Sequence, residues 1–217
     1  MESTLLLLHI AAGFTALAAA AVAILTKSLD LSHRWHVVSG RIFFLGMIGV
    51  FVTAVPLAIL RPNPFLFLIA ILSFYFALAG WRYATNRRGA PRRIDWASAG
   101  VMLLAGGIMI GFGVLLLSRG DSNGVTMVVL GAVGGALSAG DLRTLRAGGV
   151  RGTERIARHL TMMMAGTIAT VTAFVVTNVE VQPEWIVWLA PTALLTPVIV
   201  MWDRRIRSGR KVRGMEG

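Results

Sequence analysis

The chain of 217 residues is 56% hydrophobic and only 14% charged, with a mean hydropathy of +0.73, which leaves too few polar groups to cover a soluble domain. It has no cysteine, which excludes disulfides, thiolate metal sites and redox-active thiols. A formal net charge of +11 would suggest nucleic acid in a soluble protein, but here the basic residues flank apolar runs, where they set orientation and attract anionic lipid headgroups, so no nucleic-acid partner is expected.

Seven apolar stretches follow in chain order: Leu5 to Thr26, Val37 to Leu60, Pro64 to Ala84, Trp96 to Ser118, Val125 to Gly140, Leu160 to Asn178 and Trp185 to Trp202. Each is close to the roughly 20 residues that cross a bilayer core. They predict an all-α integral membrane bundle of seven transmembrane helices, with one domain over residues 1–203 and a basic cytoplasmic tail over 204–217. The first stretch carries Ala18-Ala19-Ala20, which resembles a signal-cleavage site. Glu2 without any preceding basic residue, the length of the run and the following Lys27 and Arg34 argue for a retained helix.

Alternate connectors differ sharply in charge. Those near Arg61 and Arg119 hold 2 of the Lys and Arg residues, and the segments that would share the opposite side hold the other 19. The positive-inside rule then sets the N-terminus outside and the C-terminus in the cytoplasm, which requires an odd helix count.

Small residues predict close helix approach. Gly107 and Gly111 form one GxxxG pair, Gly131 and Gly135 another, and Ala11, Ala12, Gly13, Ala16 and Ala20 thin the first helix. Such faces suit either a tight monomer or a homodimer through the glycine-rich helices. Pro56 and Pro197 predict kinks.

Polar residues near lipid are expensive, and each is a functional candidate. His9 lies near the outer end of the first helix, as a metal or haem ligand or as a hydrogen-bonded link between helices. Tyr75 lies near mid-membrane in the third, and Arg82 follows as a snorkelling anchor. Asp141 closes the fifth apolar stretch with Arg143 two positions on, and His159 opens the sixth with Met162 and Met163 one turn deeper.

Threading brings His33, His36, Arg82, Asp141, Arg143 and His159 to one depth, the cytoplasmic interface. Imidazoles and a carboxylate are ordinary ligands for transition metals, and two histidines hold a haem iron axially. His33, His159 and Asp141 are the metal-ligand candidates, with His36 and His9 as further cofactor-binding residues; the sequence does not fix a cofactor, and haem b or a divalent transition metal is what such a set could take. The 17 residues from His9 to Thr26 span roughly 25 Å, so His9 cannot share a metal with the cytoplasmic group. The competing explanation is that imidazoles and guanidiniums decorate a headgroup zone, with Asp141 paired to an arginine. A carrier of a neutral or lipidic solute, or a structural subunit, is the alternative function, because no charged residue lies near the centre of a span. No nucleophile and base share a hydrolase motif.

The segments "LHIAAGFTALAAA", "HRWHVVSGR", "FYFALAGWR", "GDLR" and "RHLTMMMAGTIATVTAFVVTN" together resemble a bacterial family of small multipass inner-membrane proteins catalogued as a domain of unknown function. Thr161 and Met162 stand where a basic residue is common in that family. The resemblance implies the same helix order and a bacterial plasma-membrane location, and it selects His9, His33, Tyr75, Arg82, Asp141 and His159. It implies no established activity.

Overall fold

The computed structural model describes residues 2–209. Seven helices follow in order: α1 (Glu2–Ser28), α2 (His33–Leu60), α3 (Pro64–Thr85), α4 (Arg93–Ser118), α5 (Asn123–Arg146), α6 (Gly152–Asn178) and α7 (Trp185–Arg207). All seven are long and apolar enough to cross a membrane, as a multipass membrane protein requires.

The helices extend beyond the apolar stretches, most of all at the arginine-rich end of the bundle. There α2 begins at His33 rather than Val37, α6 at Gly152 rather than Leu160, and α5 runs past Gly140 to Arg146. Asp141 therefore lies inside α5 instead of closing it. Apolarity marks where lipid would be, whereas helix continues wherever main-chain hydrogen bonds and caps allow. Caps account for several starts. Ser32 accepts from the Trp35 amide at 3.5 Å, Asn63 accepts from the Leu66 amide at 3.0 Å ahead of Pro64, and Asp95 accepts from the Arg92 amide at 2.8 Å. The first residues of the basic tail, through Arg207, belong to α7; Arg210, Lys211 and Arg213 lie outside the described residues.

Helix pairs are set by small residues. In the antiparallel α4–α5 pair, a Cβ at Gly106 would lie 2.9 Å from the Gly131 carbonyl oxygen, and one at Gly113 would lie 2.8 Å from that of Gly124. The contact repeats every seven residues on both helices. The expected pair Gly107 and Gly111 instead faces outward, with nothing within 4 Å of a Cβ at either. In α1–α2, Ala16 meets Gly46 and Ala12 meets Gly49; in α3–α6, Met163 meets Gly80 and Ala77 meets Gly166. One core gathers Leu72, Tyr75, Phe76, Met102, Met127 and Met162 around α3, and a second joins Ala16, Ala20, Phe43, Met47 and Ala77.

The surface is inverted relative to a soluble protein. Leu7, Leu104 and Leu194 are about 70% exposed (68%, 68% and 73%), while Ser138, Thr126 and Asp141 are buried. At the basic end, the α3–α4 and α5–α6 connectors interlock through Gly89 (φ 69°) and Gly149 (φ 90°), neither of which has room for a side chain, and the Arg151 Nε donates across to the Arg88 carbonyl at 2.7 Å.

Gly131→Val is expected to destabilise the protein by about 1–3 kcal/mol through overpacking against Met109 and Gly106. Gly107→Val is expected to leave thermal unfolding in detergent unchanged, and equal effects of the two would contradict this packing.

Candidate functional site

Two groups of polar side chains occupy the basic end of the bundle. The first is centred on Asp141, 5% exposed in α5. Tyr75 Oη donates to its Oδ2 at 2.7 Å, while Tyr83 Oη at 2.7 Å and Arg158 Nη1 at 3.0 Å donate to Oδ1. Tyr75 and Tyr83 are eight residues apart, just over two turns, and so share one face of α3. The carboxylate thus binds α3, α5 and α6 together with three donors, the arrangement that a buried charge requires.

Arg82 is committed elsewhere. Its Nε and Nη2 donate to Asp95 Oδ1 and Oδ2 at 2.7 and 3.0 Å, a bidentate pair between α3 and α4. This corrects the expectation of a snorkelling anchor: the guanidinium is only 15% exposed because the N-terminal carboxylate of α4 turns towards it. Asp95 serves Arg82 and the start of its own helix at once. The pairing expected between Asp141 and an arginine is made by Arg158, one helix away, while Arg143 points outward and is exposed. Arg158 continues to Glu154 at 3.1 Å, Glu154 pairs with Arg207, and Arg207 pairs with Asp203 at 2.7 Å, so the ionic chain runs from α5 across α6 to α7. Between Asp141 and the Arg82–Asp95 pair lies a cavity of about 40 Å³, bordered also by Tyr83, Asn86, Ser98 and Thr144. That is room for a few water molecules and no more.

The second group is histidine. His36 Nδ1 donates to the Ala23 carbonyl of α1 at 3.0 Å, and His159 Nδ1 donates to the Gly80 carbonyl of α3 at 2.9 Å. A carbonyl only accepts, so Nδ1 of each ring carries a proton, and in the neutral ring this leaves a lone pair on Nε2. The two ring centroids are 6.4 Å apart, and that of His33 lies 6.5 Å from His36. His33 is the first residue of α2 and exposed, whereas His36 is half-buried and faces α6. Gly80 is what allows this approach: a Cβ there would strike Met163, one turn below His159.

The α2 and α6 helices run parallel here. His36 faces His159, Phe43 Cζ would lie 3.3 Å from a Cβ at Gly166, and Met47 Sδ is 3.5 Å from Thr170 Oγ1. Each pair is offset by the same 123 positions, so the two faces are in register. His9 stands apart at the opposite end. Thr53 gives its hydrogen to the Gly49 carbonyl at 2.7 Å and accepts from His9 Nδ1 at 3.0 Å, a link between α1 and α2.

The structure therefore brings His33, His36 and His159 together and joins Tyr75 to Asp141. Asp141 and His159 fall in separate hydrogen-bonded groups. Among the described residues, no set of three or more His, Cys, Asp or Glu side chains is gathered as a metal site. Three partners escaped the sequence reading: Tyr83, Asp95 and Arg158. The eight-residue spacing of the tyrosines was a usable signal; the choice of Arg158 over Arg143 depended on how α5 turns.

Asp141→Ala is expected to destabilise the protein by about 1–3 kcal/mol or more, because the buried Tyr75 hydroxyl and the half-buried Tyr83 hydroxyl lose their acceptor and Arg158 keeps only Glu154. Arg61→Ala, which removes the exposed pair with Glu2, is expected to cost less than about 1 kcal/mol. Unfolding of the two variants in detergent compares them directly. No family model, curated protein or solved structure matches this chain, so the functional reading rests on this geometry.

Proposed function

We propose that this chain is a bacterial inner-membrane protein that holds a transition-metal centre, such as a haem iron, between His36 and His159 at the cytoplasmic face, in a redox or cofactor-handling role. The observation that carries the reading is the pair of Nδ1 hydrogen bonds to main-chain carbonyls, which orients two imidazoles on different helices and leaves both Nε2 lone pairs uncommitted. With metal–nitrogen bonds of about 2.0–2.1 Å, two opposed imidazole ligands have ring centroids roughly 6 Å apart. The observed separation is 6.4 Å, with the ring planes at 87° to each other, which matches that spacing.

Two protein ligands suffice where the remaining ones come with the cofactor, as in haem, whereas a structural zinc site takes four from the protein. His36 thus replaces His33 as the preferred partner of His159, and Asp141, saturated by Tyr75, Tyr83 and Arg158, is left with a structural role. The resemblance to bacterial multipass proteins supports the location. The concentration of arginine at the histidine end supports a cytoplasmic orientation, with anionic headgroups as the surrounding partners. A second reading, carriage of a small neutral solute, draws on the polar cavity beside Asp141.

The detergent-purified protein is expected to carry a near-stoichiometric metal or a Soret band, lost in His36→Ala and His159→Ala and retained in His33→Ala. A colourless, metal-free and folded protein would remove the metal reading and leave the carrier. Orientation is tested separately, since the chain has no cysteine to interfere. In Asn63→Cys an impermeant maleimide is expected to react from outside intact cells, and in Arg88→Cys only after lysis. The reverse pattern would invert the topology.

A further inference from the structure

Building on the assignment of His36 and His159 as ligands, we infer that the metal is copper(I), bound without a macrocycle, and that the thioether of Met163 is its third ligand. The sulfur packs against the residue that orients His159. A Cβ at Gly80 would lie 2.6 Å from Met163 Sδ, and the carbonyl of the same Gly80 receives His159 Nδ1 at 2.9 Å, so thioether and imidazole flank one residue of α3. Met163 follows His159 by four positions, which stacks the two side chains on one face of α6.

The space opposite is open. By the constant offset between α2 and α6, the residue facing Met163 is Gly40, and a Cβ at Gly40 would meet nothing within 4 Å. The layer between the histidines and Phe43 therefore has room on its α2 side, and an unbranched methionine can swing its sulfur into it.

Charge selects the ion. The groups facing the two rings are Lys27 beside His36, His33 next to it, and Arg155 beside His159; the nearest carboxylate of α5, Asp141, is spent on Arg158. His36 also lies in the first turn of α2, where partial charge is positive. A divalent ion on wholly neutral ligands would meet that field with twice the charge of a monovalent one. Two imidazoles and a thioether, with no oxygen ligand, are the soft donor set that favours copper(I) over zinc, manganese or magnesium.

The test is an anaerobic titration of the full-length protein in detergent with copper(I) against a chromogenic copper(I) chelator, with X-ray absorption at the copper edge. One equivalent is expected to bind with sulfur in the first shell and to resist excess zinc. Met163→Leu, of similar volume, is expected to weaken binding by roughly tenfold or more and to abolish the copper–sulfur signal. Met164→Leu, on the neighbouring face, is expected to do neither. Unfolding curves that match wild type establish that Met163→Leu is folded. Copper bound without sulfur, or unaffected by Met163→Leu, would overturn the inference while leaving the histidine pair intact. A haem band lost in His159→Ala, with no copper bound, would do the same. A folded protein that takes up neither haem nor copper would overturn both the inference and the reading beneath it.

Discussion

The fold depends at its basic end on one buried carboxylate. Asp141 draws hydroxyl groups from two turns of α3 and a guanidinium from α6, and the charge that would otherwise be prohibitive inside a bundle becomes the point at which three helices are registered. With α3 and α6 fixed there, Gly80 and Met163 meet, and His159 is brought within reach of the Gly80 carbonyl. The same Arg158 that neutralises Asp141 passes the network to Glu154 and on to α7. The polar framework and the histidine pair are thus two products of one α3–α6 contact.

Glycine does the corresponding work in the apolar interior. Between α4 and α5 the backbones approach through residues spaced by seven, Gly106 with Gly113 and Gly124 with Gly131. In an antiparallel pair, equivalent levels recur after two turns, so a heptad spacing on each helix keeps both contacts on the seam. A four-residue pair such as Gly107 and Gly111 stays on one face as well, but that face here points away from α5. Small-residue spacing identifies a smooth stripe; it does not say which neighbour the stripe meets.

The number of helices and the level of the histidines were legible in the sequence, because length and apolarity are local properties and alternation of direction follows from short connectors. The depth estimate assigned His36 and His159 to the same end, and their ring centroids lie 6.4 Å apart. What local pattern could not supply was rotation about each helix axis. Asp141 has arginines within reach at 143 and 158, and only the facing of α5 decides between them. Arg82 reads as an interfacial cation until Asp95, at the start of the next helix, is seen to turn towards it. The helix ends were also hidden, since arginine-rich turns lose the apolar signal while keeping the helical hydrogen bonds.

The parallel register of α2 and α6 has a consequence for how the protein is made. The 123 residues that separate His36 from His159 take on the order of ten seconds to synthesise at typical elongation rates. Throughout that interval α2 is in existence without its counterpart, and α3, α4 and α5 must be laid down before α6 can arrive beside it. The histidine pair therefore comes together only when six of the seven helices have been assembled in order. An early-terminated or misthreaded chain would carry His36 but never the pair.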